Sequence, residues 1–282
     1  MEIMKTVEDM QQWCLIQKRA GRSIGLVPTM GYLHEGHLAL VRQARQNCDI
    51  VIVSIFVNPI QFGTGEDFDE YPRDLTRDSE VLRQERVDAI FAPLASDMYP
   101  RGFNTYVEVF GDVTEKLCAR SRPGHFKGVT TVCSKLFHIC QPDRAYFGQK
   151  DAQQLLVMQK MVRDLNFPLE IVPVPIVREP DGLAMSSRNV YLSPEERRQA
   201  LVLYQSLQEA QKLINSGERK VETIKGLIRD CIESSPLARI DYIEIYDADD
   251  LSDIEEIDGR ALIALAVKFG NTRLIDNLLV EV

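Results

Sequence analysis

The sequence predicts an α/β protein: a Rossmann-like parallel sheet with helices on both faces, followed by a smaller C-terminal α+β domain. From residue 23 to about 176, short β-branched runs alternate with helical patterns, and beyond about 177 the order changes to helices and then strands. A chain of 282 residues with 45% hydrophobic content can bury a large core. Strands separated by helices join into a parallel sheet through right-handed crossovers.

The strand runs are residues 24–28, 50–57, 89–92, 144–147 and 170–174. Between them, a helix over 37–48 sets Leu38, Leu40, Val41 and Ala44 on one side, and 151–165 is spaced in the same way. A further helix includes 129–139, where Val132, Leu136 and Ile139 make His138 an ordinary helix residue. The cluster Glu179-Pro180-Asp181-Gly182 is a turn between the two patterns, which divides the chain into domains 1–176 and 177–282. Ser193-Pro194-Glu195-Glu196 then combines a capping box with a proline at the first helical position and opens a helix to about 214. A helix over 221–234 and strands over 240–246, 261–269 and 272–277 complete the second domain, with a turn at Gly270-Asn271.

Composition excludes several classes of function. With 33 basic against 42 acidic residues the net charge is −9, so no global positive field recruits nucleic acid or anionic lipid. An anionic ligand needs a local cluster. No apolar run of about 18 residues implies a membrane span, and residues 1–22 mix charged and amide side chains with apolar ones, unlike a signal peptide. The six cysteines, at 14, 48, 118, 133, 140 and 231, form no Cys-x-x-Cys pair, which argues against a zinc ribbon or a redox motif. They read as small buried thiols of a cytoplasmic protein.

The first strand runs through Pro28-Thr29-Met30-Gly31 into His34-Glu35-Gly36-His37, where a helix begins. A helix N-terminus offers unpaired N–H groups and a positive dipole, glycines admit a ligand to the backbone, and imidazole donors beside them suit triphosphate oxygens. A surface turn with two histidines is the plain alternative. Zinc is disfavoured, because zincins space their histidines at i and i+4, whereas His34 and His37 are three apart with no third ligand in view. Lys150 follows a strand and opens a helix, at the same end of the sheet. Read alone, Ser186-Ser187-Arg188-Asn189 is a polar loop, Gln61 a turn residue and Gln154 the polar face of a helix.

In order along the chain, Pro28–Gly31 with His34–His37 is followed by Ser54-Ile55-Phe56-Val57-Asn58-Pro59, Tyr71-Pro72-Arg73, Ser121-Arg122-Pro123-Gly124-His125-Phe126, Phe147-Gly148-Gln149-Lys150-Asp151, Met185-Ser186-Ser187-Arg188 and Ile275-Asp276-Asn277. Together these blocks resemble the pantothenate synthetase family of His-x-Gly-His nucleotidyltransferases. The resemblance implies ATP-dependent ligation of pantoate to β-alanine through a pantoyl adenylate, by a cytoplasmic homodimer with Mg²⁺ carried on the ATP phosphates.

It also implies residue roles. His34 and His37 contact the phosphates beside Met30 and Gly31, with His37 the proton donor, and Lys150 and Arg188 add cationic charge. Gly148, Gln149 and Asp151 lie along the nucleotide, Val177 and Met185 face adenine, and Ser186 and Ser187 belong to the second signature. That signature differs here, since Met-Ser-Ser-Arg stands where related synthetases carry Lys-Met-Ser-Lys-Ser, leaving Arg188 as the cation. Pantoate lies between Gln61 and Gln154, with Asn58 on the β-alanine side. Another adenylyltransferase of the same fold, or a nucleotide-binding module without turnover, would carry some of the same loops.

Overall fold

The computed structural model describes residues 1–63 and 65–282. Among the described residues, six strands form one parallel sheet: β1 (Glu2–Met4), β2 (Ile24–Thr29), β3 (Ile50–Ile55), β4 (Ala89–Phe91), β5 (Arg144–Gly148) and β6 (Glu170–Val174), in the order β1-β4-β3-β2-β5-β6. In β3 the alternation of side chains explains why a continuous apolar run is needed. Ile50 and Ile52 pack with one core, and Val51 and Val53 with another on the opposite face.

The helices cover both faces, as the sequence predicts. They are α1 (Val7–Arg19), α2 (Glu35–Asn47), α3 (Leu75–Gln84), the single turns α4 (Ala95–Met98), α5 (Asp112–Glu115) and α6 (Cys118–Ser121), then α7 (His125–Cys140) and α8 (Ala152–Asp164). Met10 and Cys14 of α1 join α7 and α8 against one face, while Val41 and Ala44 of α2 and Leu82 of α3 cover the other. Strand β1 is not legible in the sequence, because three residues with a charge among them carry no periodicity. It forms because β4 offers a parallel edge for it.

The C-terminal part holds α9 (Pro194–Gln199), α10 (Val202–Asn215) and α11 (Val221–Glu233), with an antiparallel sheet of β7 (Ala238–Asp247), β8 (Arg260–Phe269) and β9 (Thr272–Glu281). Ser193 caps α9 in the predicted box with Glu196. The single helix expected to residue 214 is two. The chain tightens to i,i+3 hydrogen bonds at Leu201 and Leu203, and α10 then turns Leu203, Leu207, Ala210 and Ile214 into the core. Ile224, Ile228 and Ile232 of α11 complete that layer. One face of β8, with Leu262 and Ala264, instead joins the core of the parallel sheet, so the two parts share apolar packing.

Two positions beneath α7 bear on the site. Asn58 caps and Gln61 ends the 3-10 turn Pro59–Gln61, which lies directly against Gly128 of α7. A Cβ at residue 128 would approach the Gln61 Cα and the Ile60 carbonyl oxygen to 2.5 Å. Gly128→Ala should therefore lower the denaturant midpoint by the equivalent of about 1–3 kcal/mol through overpacking. An unchanged midpoint would show that the turn is free to move away from α7.

Candidate active site

In the sheet, β3 and β4 extend to one side of β2, and β5 and β6 to the other. Crossovers that diverge in this way open a crevice at the carboxyl ends of the two central strands. Strand β2 pairs with β3 through six residues but with β5 only at Gly25 and Leu26. Beyond that point a cavity opens, lined by Pro28 and Thr29 from β2 and by Tyr146, Phe147 and Gly148 from β5.

The turn leaving β2 is locked from behind. Asp78 of α3, fully buried, accepts hydrogen bonds from the backbone N–H groups of Tyr32 (2.7 Å) and Leu33 (2.8 Å). This anchors a segment in which Gly31 and Tyr32 have φ of +83° and +51°. Burial pushes the Asp78 carboxyl above its ordinary range, against the two N–H groups and Arg77.

His34 is the N-cap of α2, and the two histidines close the capping box reciprocally. His34 Nδ1 accepts from the Gly36 N–H (3.1 Å), and His37 Nδ1 accepts from the His34 N–H (3.3 Å). Gly36 permits this, because a Cβ there would come within 2.9 Å of the His34 ring. With Nδ1 used as an acceptor, the proton of each neutral ring resides on Nε2. Burial, then Lys150, lowers His34 to about 4. His37 is held well below its ordinary value by burial, then by His34 and Lys150. The rings, 4.1 Å apart, thus line the cavity as two neutral N–H donors at a helix N-terminus.

Lys150 lies in the 3-10 turn Gln149–Asp151 that follows β5, with its Nζ 3.6 Å from Asp151 Oδ1. Asn277 of β9 clasps this turn: its Nδ2 donates to the carbonyls of Gln149 and Lys150, both at 2.9 Å. Next to it, Asp276 forms a two-point ion pair with Arg178. These bonds tie the C-terminal sheet to the cavity. Arg188 sits in the 3-10 turn Ser187–Tyr191 and pairs through Nε and Nη2 with Asp67 (both 2.9 Å), while Ser187 meets the Tyr71 hydroxyl at 3.0 Å.

On the opposite side, Gln61 Nε2 lies 3.1 Å from Met30 Sδ, and Asn58 Nδ2 donates to Gln61 Oε1 (3.1 Å) and to the Gly128 carbonyl (3.1 Å). Tyr99 donates to Asn58 Oδ1 at 2.7 Å, so Asn58, 1% exposed, has both ends of its amide engaged by the protein. Ser54 Oγ is buried at the cavity wall with no hydrogen-bond partner among the described residues.

One cavity therefore gathers Met30, His34, His37, Asn58, Gln61, Gly148, Lys150, Asp151, Gln154, Val177, Met185, Ser186, Ser187 and Arg188. Two residues expected among them do not line it. Gly31 shapes the turn behind the cavity, where a Cβ would meet Ile55 at 2.9 Å and Asp78 at 3.0 Å. The Gln149 side chain points to the C-terminal sheet and donates to Asn277 Oδ1 (3.3 Å). Four cysteines are buried as expected, but Cys118 and Cys231 are only partly so. Tyr71, Asp67 and Asp78 escaped the sequence reading. Tyr71 stands in one of the matched blocks, whereas nothing local marks the two aspartates, whose partners lie at residues 188 and 32–33.

A switch-point crevice with capped imidazoles, a lysine and an arginine defines a Rossmann-like enzyme that handles a nucleoside triphosphate. The chain belongs to the pantoate-beta-alanine ligase family, whose model matches residues 2–279. It is 66% identical over 282 residues to the pantothenate synthetase of Syntrophomonas wolfei, covering all of both chains. The crystal structure of pantothenate synthetase from Thermus thermophilus superposes with a TM-score of 0.93 at 47% identity, covering 99% of each chain. That of the Francisella tularensis pantoate-beta-alanine ligase, complexed with beta-gamma ATP and beta-alanine, gives 0.79 at 33% identity over 99% of this chain and 97% of that one.

The depressed histidines make stability depend on pH. A histidine whose folded pKa lies below its unfolded value near 6.5 binds a proton more readily when unfolded, so its contribution is present above about 6.5 and is lost as pH falls toward the folded value. For His34, and for His125, which burial and then Arg122 lower to about 4, the window is pH 6.5 down to 4. Between pH 6.5 and 5.5 each should cost about 1 kcal/mol of unfolding free energy. Denaturant titrations at the two pH values check this, and equal stability would mean that these rings are already protonated in the fold.

Proposed function

We propose that this cavity joins pantoate to β-alanine with cleavage of ATP, with His34, His37, Lys150 and Arg188 acting on the triphosphate and Gln61 and Gln154 holding pantoate. The observation that carries the assignment is the reciprocal His34–His37 cap, which aims two neutral donors into a crevice that also holds Lys150 and Arg188.

In the first step the pantoate carboxylate attacks the α-phosphorus, the bond to the bridging oxygen breaks, and pyrophosphate leaves with that electron pair. Charge grows on the phosphoryl and leaving oxygens, where preorganised N–H donors lower the barrier. A neutral His37 Nε2–H serves without first having to acquire a proton. Mg²⁺ brought with ATP would offset phosphate charge, and Asp151, a carboxylate lining the cavity, would accept a hydrogen bond from one of its waters. In the second step the β-alanine amine attacks the acyl carbon of pantoyl adenylate, AMP departs, and the amine nitrogen gives up a proton as the amide forms.

The amides suit pantoate because its hydroxyls both donate and accept. Gln61, 8% exposed, is oriented by Asn58, so Asn58 acts as a positioning residue. Gly148 and Asp151 approach the ribose, and Val177 and Met185, joined by the Met185 N–H to Val177 carbonyl bond of 3.0 Å, flank adenine. Asp67 takes two of the five N–H donors of Arg188, through Nε and Nη2, which leaves Nη1 and the second Nη2 hydrogen for a phosphate. We place the working boundary at 176/177, and dimerisation on the N-terminal part, where Leu94, Tyr106 and Phe110 are exposed. Among the described residues no helix is long and apolar enough to cross a membrane, and a cytoplasmic setting fits the use of ATP.

With ATP and pantoate alone, the protein should exchange labelled pyrophosphate into ATP, since the first step needs no amine. His37→Ala should slow that exchange by roughly 10² or more while remaining folded. A strict requirement for β-alanine would rule out the adenylate, and normal exchange in the variant would remove His37 from the chemistry.

A further inference from the structure

A second cationic group stands apart from the histidines. Arg122, at the end of α6, donates through Nε (2.7 Å) and Nη2 (2.6 Å) to Glu66 and through Nη1 (3.0 Å) to His125 Nε2. His125 Nδ1 donates to the Gln61 carbonyl at 2.8 Å, which leaves the Nε2 lone pair for Arg122. The guanidinium is thus braced on the Gln61 side of the cavity. Three of its five N–H donors are used by these bonds.

Arg122 and His125 also line an adjoining cavity, between α8 and the C-terminal sheet, that meets the first at Lys150, Gln154 and Arg188. Through His125, Arg122 is tied to the Gln61 backbone, whereas Lys150 lies in the turn after β5, so the two cations approach the cavity from different elements.

The reaction brings three anionic groups together: the triphosphate, the pantoate carboxylate and the carboxylate of β-alanine. Lys150, Arg188 and the histidines serve the first. The second is the nucleophile and must face the α-phosphorus. The third has been assigned no cation and takes no part in bond making, and it lies at the far end of a molecule whose amine must reach the acyl carbon beside Gln61 and Gln154. We propose that Arg122 binds the carboxylate of β-alanine with its remaining N–H donors and thereby selects an amino acid over an amine that has no carboxylate. The inference rests on the ligase reading above.

The test compares the parent protein with Arg122→Gln and Arg122→Lys in two assays: pyrophosphate exchange with ATP and pantoate alone, and AMP formation with β-alanine or with 3-aminopropan-1-ol, which keeps the amine and chain length but lacks the carboxylate. The parent should prefer β-alanine strongly. Arg122→Gln should leave exchange intact, raise the KM for β-alanine roughly 10- to 100-fold, as expected for losing a charge-assisted contact, and abolish the preference. Arg122→Lys should restore part of it, because a point ammonium lacks the guanidinium fork. Equal use of both amines by the parent, an unchanged KM and preference in the folded glutamine variant, or a loss of exchange as large as the loss of ligation would each overturn the assignment. An absence of exchange in the parent would instead overturn the ligase reading, and this inference with it.

Discussion

The active-site architecture depends on the parting of β2 from β5. The ladder between them ends at Leu26, two residues before the Pro28-Thr29 exit, while β2 stays paired with β3 to its last residue. The space so created receives α2 end-on, and a helix N-terminus is the one regular element that presents several N–H groups in a single direction. Asp78 fixes where that helix begins, and the His34–His37 box fixes how its first turn is satisfied. Histidine as its own cap is an unusual use of the residue. Here the cap commits Nδ1 to the backbone and leaves Nε2–H for a ligand, so the same bonds hold the helix and define the tautomer.

Charge is managed by pairing. Arg188 with Asp67, Arg122 with Glu66 and Arg178 with Asp276 are each joined by two contacts. In a protein of net charge −9, cations near the cavity are thereby held at fixed positions by local carboxylates. Arg188 and Arg122 each keep N–H donors beyond those used in these pairs. The Arg178–Asp276 pair and the Asn277 clasp serve a different purpose, since they attach β9 to Arg178 and to the Gln149–Lys150 turn at the edge of the cavity. The C-terminal sheet consequently buttresses Lys150 as well as covering it.

The fold class and the histidine segment were legible because both rest on local signals: a β-branched run such as residues 50–55, and two histidines three apart at a strand-to-helix junction. The α9–α10 break was not, because residues 194–214 read as one helix, with no glycine or proline where the i,i+3 bonds of Leu201 and Leu203 interrupt it. Strand β9 runs past residue 277, the expected end, for a related reason. Asp276 and Asn277 look like a strand terminus, yet they are 2% and 4% exposed, paired with Arg178 and with the Gln149–Lys150 turn. In the same way Asp67 and Asp78 are ordinary surface letters until tertiary contacts bring Arg188 and the Tyr32 turn to them. Long-range polar pairing has no period, so a single sequence does not display it.

The central claim is that both histidines of the cap are neutral with the proton on Nε2 before any ligand arrives. Nitrogen-15 NMR of histidine-labelled protein at pH 7, with His34→Asn and His37→Asn for assignment, reads each ring directly. Nδ1 should resonate at the shift of an unprotonated acceptor and Nε2 at that of a protonated nitrogen in both rings. An imidazolium pattern, or a proton on Nδ1 of either, would contradict it.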